Sequence, residues 1–126
     1  MNSNDKEINV INEQLLATFL FICTLIISIL LNYDKKEKLK GNKGLFSSNT
    51  SKNIAIINRI AVIIIVIFYI YIDKENIDIT KEKKQNLKFA YLQLFVEAIT
   101  IIAALIALYI TIKSNNQIID IENPNV

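Results

Sequence analysis

A single carboxylate, Glu97, interrupts the run YLQLFVEAITIIAALIALYI that extends from Tyr91 to Ile110. An ionisable group in an apolar stretch of bilayer length is expensive, so it faces protein or water and marks the first place to look for function. Arg59 holds a comparable place in the apolar run Ile54–Ile72. The obvious pairing of Arg59 with Glu97 is opposed by depth. If both runs cross a membrane as antiparallel helices, the two Cα atoms differ in depth by roughly 11 Å at 1.5 Å per residue. Arg59 is expected to reach toward headgroups on its own side, with Asn58 and Ser28 at similar depth. Glu97 is expected to find Gln93 one turn away, with Tyr69 and Thr18 on the same half of the membrane. As a neutral acid it would donate one hydrogen bond and accept others.

Other chemistry is scarce. The chain has no histidine, which removes the commonest general base and metal ligand together. The lone Cys23 sits in an apolar run without a partner or a polar neighbour, so it reads as a small packing residue. Neither of the two glycines belongs to a phosphate-cradling loop. Carboxylates outside the apolar runs occur singly among lysines. No metal, cofactor or nucleotide site is expected, and catalysis is the least supported class.

The elements that must position Glu97 follow from composition and patterning. A chain of 126 residues with 52 % hydrophobic content fits a membrane protein better than a soluble domain. Three apolar blocks, Leu15–Leu31, Ile54–Ile72 and Phe89–Ile112, contain 17, 19 and 24 residues. About 20 helical residues cross a hydrocarbon core roughly 30 Å thick, so all three qualify, the first with its flanks Gln14, Asn32 and Tyr33. A soluble helix would need a charged face, yet Ala61 to Ile72 and Thr100 to Ile112 carry no charge on any face. The first block lacks the basic leader and small-residue site of a cleaved signal, and is expected to remain as a helix. The expected fold is an all-α integral membrane protein, three transmembrane helices in an antiparallel up-down bundle with no sizeable soluble domain.

The expected divisions are an N-terminal segment (1–13), a first span (14–33), a basic loop (34–53), a second span (54–72), a charged loop (73–88), a third span (89–112) and a polar tail (113–126). Thr80 precedes KEKKQNLKFAY, a run of good helix formers, and is expected to cap a third helix that starts near residue 80. Gly41 and Gly44, followed by Ser47 to Thr50, suggest a flexible first loop, and the tail is expected to be extended.

One face of the third span is organised. Steps of three and four residues give Ala90, Gln93, Glu97, Thr100, Ala104, Ala107, Thr111 and Ser114, all small or polar. In lipid, such residues mark helix contacts, because small side chains permit close approach and polar ones bond across it. The second span has a weaker stripe of Ala55, Arg59, Val62, Val66, Tyr69 and Asp73, and the first has Ala17, Phe21, Thr24 and Ser28.

Lysines set the topology. The first loop and tail hold seven (Lys35, Lys36, Lys38, Lys40, Lys43, Lys52 and Lys113) against six on the other side (Lys6, Lys74, Lys81, Lys83, Lys84 and Lys88). The acidic leader and Arg59 tip this narrow balance toward an outside N-terminus and a cytoplasmic C-terminus in a plasma membrane. Lys35, Lys36, Lys38, Lys40 and Lys43 are placed to meet lipid headgroups. Without interleaved aromatics they do not suggest nucleic acid.

These features suggest a non-catalytic subunit or regulator that joins another membrane protein, or a second copy of itself, through the third-span stripe. A different class stays open. In helix number, size and orientation the chain resembles the holin-type phage lysis proteins, which implies pore formation, although its tail lacks their strongly charged C-terminus. Glu97 could also serve a small ion-coupled transport or immunity protein. The abundance of Ile, Asn and Lys suggests a bacterial or phage genome of low GC content.

Overall fold

The computed structural model describes residues 2–114, which form α1 (Ser3–Leu39), α2 (Ser48–Glu82) and α3 (Lys88–Lys113). At 37, 35 and 26 residues they measure roughly 55, 52 and 39 Å. Each is long and apolar enough to cross a membrane, which supports the expected multi-pass, all-helical protein. The tail expected to be extended lies outside the described residues.

The helices outrun the apolar blocks because their ends are capped in polar sequence. Asn2 starts α1 by accepting the Asp5 amide at 2.9 Å, and the Ser47 hydroxyl does the same for Thr50 at 3.2 Å at the start of α2. Each of these helices ends in a Schellman turn. In α1 the Gly41 amide donates to Lys38 O and Asn42 to Glu37 O, with Gly41 at φ +88. In α2 the Lys84 amide donates to Lys81 O and Gln85 to Thr80 O, with Lys84 at φ 55.

Two expectations are corrected here. Thr80 does not cap α3; it lies inside α2, where its hydroxyl donates to Asn76 O at 2.7 Å. The third helix begins instead at Lys88, whose amide is received by Asn86 Oδ1 at 2.9 Å. The first loop, expected as a flexible connector, is partly helical, since α1 runs to Leu39 and α2 starts at Ser48. Rather than being a free connector, it is tied down by Asp34, which is 2 % exposed. Asp34 Oδ1 accepts the Leu45 and Phe46 amides at 2.7 and 2.9 Å, while its Oδ2 accepts Lys38 Nζ at 2.8 Å and the Ser51 hydroxyl at 2.7 Å.

Packing is organised around α2. One buried line on α2 is Asn58, Ile65, Ile72 and Ile79, at the seven-residue spacing of a shallow helix contact. It meets α1, whose Val10, Ala17 and Thr24 are buried at the same spacing. Val10, Ala17, Ile72 and Ile79 form one cluster, with Phe68 and Tyr69 against it. A second line, Val66, Asp73 and Ile77, is turned by about 100° round α2, one residue's step in a helix of 3.6 residues per turn. The Asp73 of this line faces α3.

This angular separation explains why α1 and α3 both pack on α2 yet scarcely touch each other. Two helices seated about 9 Å from a third and about 100° apart stand roughly 14 Å from one another, beyond the usual 8–10 Å contact distance. The result is an open three-helix arrangement. Large apolar side chains such as Phe19, Ile29, Ile64, Phe95 and Tyr109 point outward on all three helices. For a chain in lipid that is the side that meets acyl chains.

Candidate functional site

Cross-helix bonds define the antiparallel register of α1 and α2. From one end to the other, Lys6 pairs with Glu82 at 2.7 Å and Glu7 with Lys83, then Thr18 Oγ1 meets the Tyr69 hydroxyl at 3.0 Å. Farther along, Asn58 Nδ2 donates to Thr24 O and to Ser28 Oγ, each at 3.2 Å. Asp34 with Ser51 closes the far end. Polar pairs thus sit at intervals along an otherwise apolar contact.

On the other flank, the short turn from Glu82 to Lys88 fixes how α3 runs back along α2. Nine residues back from Glu82 is Asp73, and nine forward from Lys88 is Glu97, which places the two at one level. Asp73 is 6 % exposed, and its Oδ2 has no hydrogen-bond partner. Burial pushes Asp73 up to about 6, and the Glu97 charge acts in the same direction. Asp73 lies just beyond the α2 apolar block, whereas Glu97 lies eight residues inside that of α3.

The register decides between possible partners for Glu97. Arg59 is 14 residues from Asp73 along α2, about 21 Å at 1.5 Å per residue, and stands on the connector side of the molecule. Gln93 is the partner in fact, donating its Nε2 to Glu97 Oε1 at 3.0 Å. Tyr69, in contrast, turns toward α1 and bonds Thr18. Thr100 returns its hydroxyl to Val96 O at 2.8 Å, and is exposed together with Gln93. Of the α3 stripe, Ala90 and Thr111 are buried against the neighbouring helix and Ala104 and Ala107 are half-buried. Thr111 gives its hydroxyl to Ala107 O at 2.9 Å. The stripe therefore divides into a part that α2 covers and a part, around Gln93 and Thr100, that it leaves open.

A second carboxylate pair occupies the same level on the α1 flank. Glu13 stands near Glu75 there, and its Oε2 is buried without a hydrogen-bond partner. Burial, then the charge of Glu75, raise Glu13 above the usual carboxylate range. Sequence reading missed both pairs. Asp73 stood as the last member of a weak stripe and the first residue of the charged loop, while Glu13 and Glu75 fell inside the N-terminal segment and that loop without being singled out. The signal that could have found them is antiparallel pairing, of α2 with α3 across the short Lys83–Leu87 turn for Asp73 and Glu97 and of α1 with α2 across the connector for Glu13 and Glu75, which requires the helix ends to be placed first.

The lysines on the connector side are differently engaged. Lys38 is held by Asp34 and Ser51, and Lys40 lies 4.0 Å from Glu37. Lys35 is half-buried, whereas Lys36 and Lys43 are exposed. Among the described residues no group of three or more Asp, Glu or Cys gathers as a metal site. Comparison with protein-family models, with curated proteins and with solved structures finds no match.

Proposed function

We propose that this chain is a small, non-catalytic membrane subunit or regulator that associates with another membrane protein, or with itself, through the open part of the α3 stripe. The observation that carries the reading is the open flank between α1 and α3. There the chain's own helices leave Gln93 and Thr100 uncovered and Ala104 and Ala107 half-covered. In lipid a small or polar surface of this kind favours another helix over acyl chains.

The three antiparallel helices put the N-terminus and the α2–α3 turn on one side, and the Lys-rich connector and Lys113 on the other. We place the latter side in the cytoplasm of a cell membrane, with the exposed Lys36 and Lys43 at anionic headgroups. Purification in a mild detergent with mass analysis is expected to recover a species larger than one chain, and Thr100→Leu with Ala104→Leu to release the monomer. A monomer in every mild detergent, unchanged by these substitutions, would remove the proposal.

A second reading, an ion-coupled or pore-forming protein, draws on the buried Asp73 opposite Glu97. Induced expression separates the two: collapse of the membrane potential favours the pore, and normal growth with a stable complex favours the subunit.

A further inference from the structure

Two opposite charges that one copy holds apart can be brought together by a second copy turned over. Arg59 stands seven residues before Val66 on the α3-facing line of α2, and Glu97 stands seven residues before Ala104 on α3. The turn that sets Asp73 level with Glu97 also sets Val66 level with Ala104, because the two helices are antiparallel. Arg59 and Glu97 therefore lie at equal heights on opposite sides of the Val66–Ala104 level, each about 10 Å from it at 1.5 Å per residue. A two-fold axis through that level, lying in the membrane plane, exchanges the two heights.

We propose that the open flank receives a second copy of this chain in the inverse membrane orientation, so that Arg59 of each copy meets Glu97 of the other. This deepens the self-association reading and rests on it. Within one copy the two charges are about 21 Å apart in level, and an ionisable group inside a membrane is costly unless a partner meets it. The inverted dimer supplies two such pairs at once, as a two-fold interface must. A parallel pair of copies would instead set each charge level with its own like. Both side chains are half-buried, so an approaching helix can still reach them. At the axis, Ala104 with Thr100 and Ala107 a turn away are small, which lets two α3 helices approach closely.

The lysines accommodate both orientations. Seven on the connector side against six on the other leave almost no difference for the positive-inside rule to act on. The orientation proposed above is then that of one copy, and its partner takes the inverse. The centres of all three apolar blocks fall within about 6 Å of the Val66–Ala104 level, where the dimer needs the bilayer midplane.

The test has two arms, both on the full chain expressed in bacterial cells. In a Cys23→Ser background, Asn49→Cys puts an exposed thiol on the connector side without altering any charge. A membrane-impermeant maleimide should label about half of the copies in intact cells and the rest after permeabilisation. Labelling of all copies or of none in intact cells overturns the proposal. In the second arm, Arg59→Glu and Glu97→Arg should each weaken the dimer about tenfold or more in mild detergent, because each sets like charges together. Coexpressed, the two variants should restore it, since each offers the charge that the other lacks, and pairing within one chain cannot give that rescue. Variants that dimerise alone as wild type does, or a mixture that stays monomeric, overturn the proposal. Should either reversal fail to fold, the labelling arm decides alone. A wild-type complex labelled in a single orientation removes the inverted copy and leaves self-association standing, whereas a monomeric wild type removes both.

Discussion

Asn58 of α2 donates its side-chain amide to the Ser28 hydroxyl of α1 at 3.2 Å, in a place where Asn58 is only 4 % exposed. The same nitrogen reaches Thr24 O, and Ser28 in turn donates to Thr24 O at 3.1 Å. The Asn58 nitrogen and the Ser28 hydroxyl thus find acceptors inside an apolar contact, while Asn58 Oδ1 is buried without a partner. Asn58→Leu keeps the volume and deletes the cross-helix bonds, and we expect it to destabilise the α1–α2 contact by about 1 kcal/mol. The loss should appear as an earlier midpoint in SDS unfolding of the reconstituted protein, with helix content unchanged beforehand.

Asp34 gathers four donors from the connector and the two adjoining helices, and we expect a larger effect there. Asp34→Ala strands the Leu45 and Phe46 amides and leaves the partly buried Lys38 without its carboxylate. A loss of about 3 kcal/mol is expected, since hydrogen bonds to a charged group are worth more than neutral ones and their stranded partners stay desolvated. Thermal unfolding in detergent provides the measurement.

The same residue also gives a pH dependence. Burial alone would raise Asp34, but the Lys38 ammonium, the Ser51 hydroxyl and the Phe46 and Leu45 amides overcome it and hold the carboxyl well below the usual range. A group depressed on folding stabilises the protein above its unfolded value, near 3.9, and that stability is lost as pH falls through the folded one. Wild type should lose stability on acidification below about pH 4, and Asp34→Asn should lose less over the same interval.

The outline of this architecture was legible in the sequence because it depends on lengths and hydropathy. Three apolar blocks of bilayer length predict three long helices wherever their ends fall. The ends were less legible, and the reason differs between them. Gly41 announces the end of α1, since glycine enters the left-handed region freely. Lys84 does the same work for α2 without any signal in its residue type. That concealed turn made Thr80 look like a cap and hid the level at which Asp73 meets Glu97. The bond from Gln93 to Glu97 was visible because four-residue spacing alone creates it.

Lys84 also offers a route to greater stability. A side chain at φ 55 is strained relative to glycine, and Lys84→Gly keeps both Schellman hydrogen bonds, which use backbone groups alone. We expect a gain of about 0.5–1 kcal/mol, with the relief of strain exceeding the extra freedom of glycine in the unfolded chain. A rise in the thermal midpoint would register it; a fall would show that the turn tolerates lysine without strain.

The two glycines of the connector should respond unequally to alanine. At Gly44 (φ +79) a Cβ would lie 2.6 Å from Asp34 Oδ1 and 3.0 Å from Lys38 Cε, so the substitution strikes the Asp34 cluster as well as the backbone. At Gly41 (φ +88) the added atom meets open space, and only the backbone strain remains. Gly41→Ala is expected to destabilise by about 1 kcal/mol and Gly44→Ala by clearly more, on the same thermal assay.

Because α1 and α3 rest on α2 about 100° apart and scarcely on each other, any turn of α2 about its own axis would move both contacts together. A small rotation of α2 that seats Asp73 more deeply against α3 must also turn Ile72 and Ile79 against Val10 and Ala17. A change at the α3 contact would reach α1 chiefly through α2. The N-terminal segment that carries Lys6 and Glu7, clamped to Glu82 and Lys83 at the end of α2, is the part of α1 where such a turn would first be felt.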